Sequence, residues 1–208
     1  MMLRGLYAIT ASLQAAPGDL AQQVRDALSG GARLIQYRDK SHDIVRRRAE
    51  AETLRALCEA AGAPLIINDD VELAAAVSAH GVHLGRDDAD VAAARRALGE
   101  GALIGVSCYN EFARAEAAGS AGADYVAFGS FFPSPTKPQA VKADASLLVR
   151  AARELAVPVV AIGGITPENG RQLIAAGADM LAVVHGVFCQ PDVAAAARSY
   201  ARLFDNEE

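Results

Sequence analysis

The 208-residue sequence has few cysteines, and their spacing excludes the usual structural uses of a thiol. Only Cys58, Cys108 and Cys189 are present, and no two of them form a Cys-x-x-Cys pair. An odd number of widely spaced cysteines is neither a disulfide framework nor a structural zinc site. We therefore expect free thiols in a reducing cytoplasm.

Long apolar segments are also missing. No stretch offers the roughly 18 consecutive apolar residues that a transmembrane helix requires. The first residues, MMLRGLYAIT, contain no apolar run of the kind found in signal peptides. We expect a cytoplasmic protein that makes no membrane contact.

An excess of basic residues is missing as well. Lys and Arg number 20 against 25 Asp and Glu, which gives a formal net charge of −5. Proteins that bind nucleic acids normally present a basic face, so we expect no nucleic-acid partner. The 52% hydrophobic content is that of an ordinary globular protein with a large core.

What the sequence does contain is a short apolar run that recurs eight times, in most copies after a small-residue turn with glycine. The runs are LYAIT, RLIQY, PLIIN, GVHLG, LIGVSCY, DYVAFG, PVVAIG and DMLAVV. Their length of about 4–7 residues and their content of Val, Ile and Leu are typical of buried parallel strands. Helical patterns fill the gaps, and several of them end at glycine.

Eight strands that alternate with helices predict an α/β fold, a single-domain TIM (β/α)8 barrel over residues 1–208. An open doubly wound sheet is the alternative. That fold usually has fewer strands and a glycine-rich phosphate loop after the first one, and YAITAS has no such pattern. In a TIM barrel the active site lies at the C-terminal ends of the strands.

Two cations follow the second strand. Gln36, Arg38 and Lys40 alternate in QYRDK, so they share one face with the apolar Leu34. Two cations at the mouth of a barrel are costly to desolvate without an anion. The motif therefore favours an anion site over the alternative, a solvated strand end.

Carboxylates follow the third and fourth strands, as Asp69 and Asp70 and as Asp87 and Asp88. Mg²⁺ binds through one or two carboxylates, keeps some waters and completes its shell with phosphate oxygens. Helix capping is the alternative, and we expect it to use one Asp of each pair and leave the other for a metal. Cations beside such carboxylates favour a polyphosphate ligand.

The later strand ends carry small and polar groups. Ser107 faces the mouth, and we expect Asn110 to cap the next helix, as Thr166 should cap the helix after the seventh strand. Gly163 and Gly164 allow close approach of a ligand to the backbone. The loops after strands seven and eight are the usual phosphate site of this architecture.

Six motifs occur in the order seen in thiamine phosphate synthases: QYRDK, INDD, VHLGRDD, GVSCYN, PSPTK and AIGGITPEN. The sequence resembles this family from LYAIT to VVHGVF, which is nearly the whole chain. The resemblance implies a transferase that joins 4-amino-2-methyl-5-hydroxymethylpyrimidine diphosphate to 4-methyl-5-(2-phosphoethyl)thiazole or its carboxylate. The products would be thiamine monophosphate and pyrophosphate, formed through a pyrimidinylmethyl cation.

The resemblance also implies roles for single residues. Asp69 and Asp88 would bind Mg²⁺. The catalytic groups, which stabilise the leaving pyrophosphate, would be Arg38, Lys40, Ser107 and Lys137. The substrate contacts would be Gln36, Arg38, Lys40, Asn68 and Ser107 on the pyrimidine side, and Ser134, Thr136, Lys137, Gly164, Val184 and His185 in the later loops.

Four positions depart from the common pattern of the family. Arg86 stands where Gln is frequent, Tyr109 where His is frequent, Ser134 in place of Thr, and His185 in place of a small residue. A thiazole tautomerase on the same barrel and a non-catalytic phosphate-ligand sensor are the alternatives. The intact set of cations and carboxylates argues against both. Barrels of this kind often dimerise, so a homodimer is a further expectation.

Overall fold

A computed structural model of the protein describes residues 3–12, 18–134 and 139–205. Eight parallel strands form a closed barrel in which each strand pairs with the next and the last pairs with the first. The strands are β1 Gly5–Ile9, β2 Ala32–Tyr37, β3 Leu65–Asn68, β4 Gly81–Leu84, β5 Leu103–Tyr109, β6 Tyr125–Phe128, β7 Val159–Ile162 and β8 Met180–Val183. The predicted TIM barrel is confirmed, while one domain over residues 1–208 stays a prediction.

Helices follow the strands in the described ranges. They are α1 Leu20–Ser29, α2 Ile44–Ala60, α3 Val71–Ala76, α4 Val91–Leu98, α5 Phe112–Ser120, α6 Ala145–Glu154, α7 Pro167–Ala175, α8 His185–Phe188 and α9 Val193–Ala201. The sequence pattern did not predict the short α8, because one helical turn carries no periodic signal. Among these helices, none has the length and apolarity needed to cross a bilayer.

Side-chain caps decide where several helices begin. Thr166 caps α7 as predicted, and its side chain accepts a hydrogen bond from the backbone N–H of Asn169. The expectation that one residue of the Asp87–Asp88 pair caps α4 was wrong, because Asp90 does so. Asp88 instead accepts a hydrogen bond from the preceding loop, which leaves the cap to the later carboxylate.

The expected cap of α5 was wrong as well. Glu111 occupies the position before α5 and makes no side-chain capping bond. The Asn110 side chain turns away and donates through Nδ2 to a backbone carbonyl of the loop before α6, at 3.2 Å. Asn110 therefore bonds to a residue that is distant in sequence and not to the first turn of α5.

Apolar side chains fill two layers. The layer inside the barrel includes Leu34, Ile66, Val160 and Met180, whereas the larger layer lies between the strands and the helices. Leu34 therefore faces the barrel interior, as the alternation in strand β2 predicted. The polar residues on the same face of β2 then point toward the barrel mouth.

Gly105 makes room for an aromatic ring inside the barrel. It pairs with Tyr125 across β5 and β6, and a Cβ atom at position 105 would lie 2.0 Å from the ring atom Cζ of Tyr125. Tyr125 is fully buried, so its ring has no open space to move into. The missing side chain at Gly105 is thus a packing requirement of the interior.

The sequence AGAD forms the same turn before β6 and before β8. Asp124 donates its backbone N–H to the carbonyl of Ile104 at 2.8 Å, and its Oδ2 accepts the N–H of Ile104 at 2.7 Å. Asp179 makes the same two bonds with Val159, both at 2.8 Å. Each aspartate therefore ties the beginning of its own strand to the preceding strand.

Candidate active site

The predicted cation and the two predicted metal ligands meet at the C-terminal ends of the strands. Lys40 donates through Nζ to Oδ2 of Asp69 at 2.7 Å. The carboxyl groups of Asp69 and Asp88 share a hydrogen bond, although they follow different strands. The backbone N–H of Gly85 donates to Oδ2 of Asp88 at 2.6 Å and holds that carboxyl group in place.

Protonation differs between the two carboxyl groups. Burial alone would raise the pKa of Asp69, but the hydrogen bonds with Lys40 and Asp88 outweigh it and lower that pKa below its usual value. Partial removal from water and the hydrogen bond to Asp69 raise the pKa of Asp88. Asp69 is therefore the better anion, and Asp88 is the partner that more readily holds a shared proton.

The backbone at Asp69 is unusual. Its φ is 65°, in the left-handed region that Asp and Asn adopt more readily than most residues. Its N–H donates to the carbonyl of His83 at 2.8 Å, which fixes the turn against strand β4. This conformation brings the Asp69 carboxylate next to Asp88.

This donor set fits a hard divalent cation. Among the residues that the structure describes, no group of three or more His, Cys, Asp or Glu side chains could hold a metal. Two carboxylates are the number that Mg²⁺ uses when waters and phosphate oxygens complete its shell. Two carboxyl groups in contact also need a proton or a cation between them.

Five polar side chains form a continuous hydrogen-bonded chain through the barrel interior, which we call the buried polar chain. Its members are Gln36, Tyr7, Tyr125, His83 and Ser107. The successive distances are 2.6 Å from Gln36 Nε2 to Tyr7 OH, 2.8 Å between the two tyrosine oxygens, 3.1 Å from Tyr125 OH to His83 Nδ1, and 2.9 Å from His83 Nε2 to Ser107 Oγ. It joins two predicted substrate contacts, Gln36 and Ser107.

Sequence reasoning missed the middle of this chain. Tyr7 and Tyr125 look like ordinary strand residues, and His83 shows no metal-ligand spacing. Alternation in GVHL was the available signal, because it places His83 on the same face as Gly81, toward the barrel interior. Burial raises the pKa of both tyrosines, so both hydroxyls keep their protons at neutral pH.

Two further predicted contacts lie at the same mouth. The Arg38 backbone N–H donates to Oγ1 of Thr10 at 2.8 Å, and the Arg38 side chain is half-buried. Asn68 ends β3 directly before Asp69 and is also half-buried. Gln36, Arg38 and Asn68 thus lie at or directly after the C-terminal ends of β2 and β3.

The loop after β6 fills the space beside the glycine pair that follows β7. Gly163 and Gly164 have φ values of 103° and 61°. A Cβ atom at Gly163 would lie 2.0 Å from Ser130 Oγ, and one at Gly164 would lie 2.3 Å from the carbonyl oxygen of Pro133. The loop after β6 therefore accounts for both glycines without a ligand.

The remaining predicted residues belong to the later loops. Ser134 is half-buried at the edge of the described region, whereas Thr136 and Lys137 lie outside the described residues. Val184 directly precedes the short helix α8, which His185 begins. The structure therefore places Ser134, Gly164 and the start of α8 in loops that follow β6, β7 and β8.

Comparisons with known proteins show the family of the chain. Residues 6–187 match the family model described as thiamine monophosphate synthase. The chain belongs to this family. The thiamine-phosphate synthase of Nitrosococcus oceani is 55% identical over 97% of this chain and 93% of its own length. That of Aromatoleum aromaticum is 56% identical over 98% of this chain and 97% of its own length.

A solved structure of the family shows the same architecture. Thiamine phosphate pyrophosphorylase from Pyrococcus furiosus superposes with a TM-score of 0.87 at 33% identity, over 97% of this chain and 96% of that chain. Together with the curated relatives, this makes the chain an enzyme of the transferase class that acts on small molecules.

Two of the departures from the common thiamine phosphate synthase pattern contact each other. The Arg86 guanidinium lies over the Tyr109 ring, 4.9 Å from its centroid, and forms an ion pair with Glu111. Arginine over an aromatic face is a favourable contact. Arg86 and Tyr109 are thus a matched pair at the rim of the mouth.

Proposed function

We propose that the protein catalyses the Mg²⁺-dependent condensation of 4-amino-2-methyl-5-hydroxymethylpyrimidine diphosphate with 4-methyl-5-(2-phosphoethyl)thiazole or its carboxylate. The products are thiamine monophosphate and pyrophosphate, with carbon dioxide from the carboxylated thiazole. The observation that carries the proposal is the contact between Lys40, Asp69 and Asp88 at the barrel mouth. A cation beside a two-carboxylate metal site suits a diphosphate, whose charge both can share.

Asp69 and Asp88 would hold the Mg²⁺ ion. When bound, the ion supplies positive charge that neutralises the diphosphate oxygens as the leaving group develops. Lys40, which lies against Asp69, would contact the diphosphate.

Each substrate has its own set of residues. Gln36, Arg38, Lys40 and Asn68 would hold the pyrimidine diphosphate, and Ser107 would lie between the pyrimidine and the departing group. The thiazole phosphate would contact Ser134, Thr136, Gly164, Val184 and His185. Lys137 would contact the pyrophosphate from the loop after β6.

The reaction is dissociative in this proposal. The bond between the pyrimidinylmethyl carbon and the diphosphate oxygen breaks, and the electron pair leaves with pyrophosphate. The lone pair of the thiazole nitrogen then forms the new carbon–nitrogen bond. No general base is needed, so Arg38, Lys40, Ser107 and Lys137 act by stabilising charge and by positioning.

An assay with both substrates tests the proposal. The protein is mixed with both substrates, in Mg²⁺ or in chelator, and pyrophosphate and thiamine phosphate are measured together. We expect equal amounts of both products with Mg²⁺ and neither with chelator. Proton exchange on the thiazole carboxylate without coupling would instead indicate a tautomerase, and no reaction at all would indicate a binding protein.

The cytoplasmic location, the homodimer and the lack of a nucleic-acid partner stay predictions.

A further inference from the structure

The buried polar chain connects residues that the proposed function places on different parts of one substrate. Gln36 at one end belongs to the pyrimidine contacts, and Ser107 at the other end lies toward the leaving diphosphate. Gln36 is 2% exposed and His83 is 8% exposed, so water cannot freely replace their partners. The chain therefore has a fixed set of donors and acceptors.

The orientation of the Gln36 amide sets the direction of the hydrogen bonds in the first half of the chain. Gln36 Nε2 faces Tyr7 and can only donate, so the Tyr7 oxygen accepts. Tyr7 has a single hydrogen, and that hydrogen stays within the chain when Tyr7 donates to Tyr125 across 2.8 Å. Tyr125 in turn donates its hydrogen to Nδ1 of His83.

The second half follows from the first. Because Nδ1 of His83 accepts, the neutral imidazole carries its hydrogen on Nε2 and donates it to Ser107 Oγ. The hydroxyl hydrogen of Ser107 is then not used between members of the chain, and neither is the second hydrogen on Nε2 of Gln36. Ser107 can donate its hydroxyl hydrogen to a ligand.

We propose that the buried polar chain determines whether each of its two ends offers a hydrogen-bond donor or an acceptor to the substrate. His83 is the positioning residue that transmits the direction of the hydrogen bonds to Ser107. This inference rests on the proposed function. Gln36 presents its acceptor Oε1 to the amino group of the pyrimidine, and Ser107 presents a donor to a diphosphate oxygen. The chain supplies orientation only, and no proton is transferred along it.

The opposite order would suit this substrate poorly. If Oε1 of Gln36 faced Tyr7, every bond in the chain would reverse and His83 would carry its hydrogen on Nδ1. Ser107 would then donate its hydrogen to His83 and present only lone pairs to the anionic diphosphate. Gln36 would meet the pyrimidine amino group with a second donor, and both ends would be mismatched.

The tautomer of His83 tests the chain without any turnover. The four histidines of the full-length protein are labelled with ¹⁵N, and the signals of His83 are identified as those absent from His83→Gln. We expect Nδ1 of pyridine type and Nε2 of pyrrole type. A hydrogen on Nδ1, or on both nitrogens, would overturn the proposed order.

His80 provides the internal reference. Its Nδ1 accepts the backbone N–H of Leu65 at 2.9 Å, so its tautomer is set by the fold and not by the buried polar chain. Burial lowers the pKa of His80, which keeps its imidazole neutral at pH 7. The His80 signals should therefore stay unchanged in any variant that alters only the chain.

Tyr7→Phe tests transmission along the chain. It keeps the ring and removes the hydroxyl that links Gln36 to Tyr125, so His83 should become a mixture of tautomers. The kcat/KM for the pyrimidine diphosphate should fall about tenfold or more, the usual size for a lost hydrogen bond to a charged or buried group. Tyr200→Phe is the matched control, because Tyr200 is also buried but donates to the carbonyl of Ile165.

The outcomes separate this inference from the proposed function. Unchanged His83 signals in Tyr7→Phe, or equal effects of Tyr7→Phe and Tyr200→Phe, would overturn the transmitted order. The predicted tautomer in a wild-type protein that fails to bind the pyrimidine diphosphate would overturn the substrate assignment and thus the proposal. The predicted tautomer together with a selective loss in Tyr7→Phe would support it.

Discussion

Replacing Asp69 with asparagine is expected to lower kcat/KM for coupling by a factor of about 100 or more, since a lost electrostatic contact to developing charge commonly costs that much. Asp69 is in contact with Lys40 and with Asp88, so the substitution removes one metal ligand and one partner of the cation. The Mg²⁺ concentration for half-maximal activity should rise as well. Pyrophosphate release measured over a Mg²⁺ titration checks both effects.

The choice of asparagine matters because of the backbone. With φ at 65°, alanine at position 69 would add backbone strain to the loss of charge, whereas asparagine tolerates this conformation. Asp87→Asn is the control, since Asp87 is an exposed carboxylate beside Asp88 and should leave activity within about twofold, as surface substitutions usually do. Asp69→Asn and Asp88→Asn should not be additive, because both would hold one ion. Full activity of Asp69→Asn in low Mg²⁺ would contradict the metal assignment.

Gly105→Ala is expected to destabilise the fold by about 2–4 kcal/mol, the upper range for an overpacked core. The new methyl group would lie 2.0 Å from the Tyr125 ring, so either the ring or strand β5 must move. Any shift of Tyr125 also strains its hydrogen bonds to Tyr7 and His83. Urea unfolding followed by circular dichroism measures the loss.

Gly101→Ala gives the matched comparison. Gly101 lies shortly before the same strand, and a Cβ atom there would have no neighbour within 4 Å. Its free energy of unfolding should change by less than about 0.5 kcal/mol. Similar midpoints for Gly105→Ala and the wild type would show that the barrel interior is looser than its packing indicates.

The barrel could be predicted from the sequence because its elements are local patterns. A strand such as LIIN and the helix after it can be recognised from about twenty residues of sequence. The order of these elements is then enough to predict a closed barrel. The meeting of Lys40, Asp69 and Asp88 was predictable for a related reason. The C-terminal ends of parallel strands share one edge, so neighbouring strand ends must bring their polar residues together.

The interior of the site was not predictable in this way. Tyr7 and Tyr125 are 118 residues apart, and their contact depends on how the strands tilt and on which ring fills the space above Gly105. The predicted cap of α4 was wrong for a smaller reason. Asp88 and Asp90 both precede α4. The backbone N–H of Gly85 binds Asp88 and leaves Asp90 as the cap, and the local sequence pattern does not predict this bond.

The two AGAD turns have a consequence for the order in which the barrel is assembled. The side-chain bonds of Asp124 and Asp179 each span 20 residues, so the two turns close loops of equal length. The entropy of loop closure depends mainly on that length and is therefore the same for both. The C-terminal half of the chain contains two equivalent points at which neighbouring strands can first join during folding, and neither has to wait for the other.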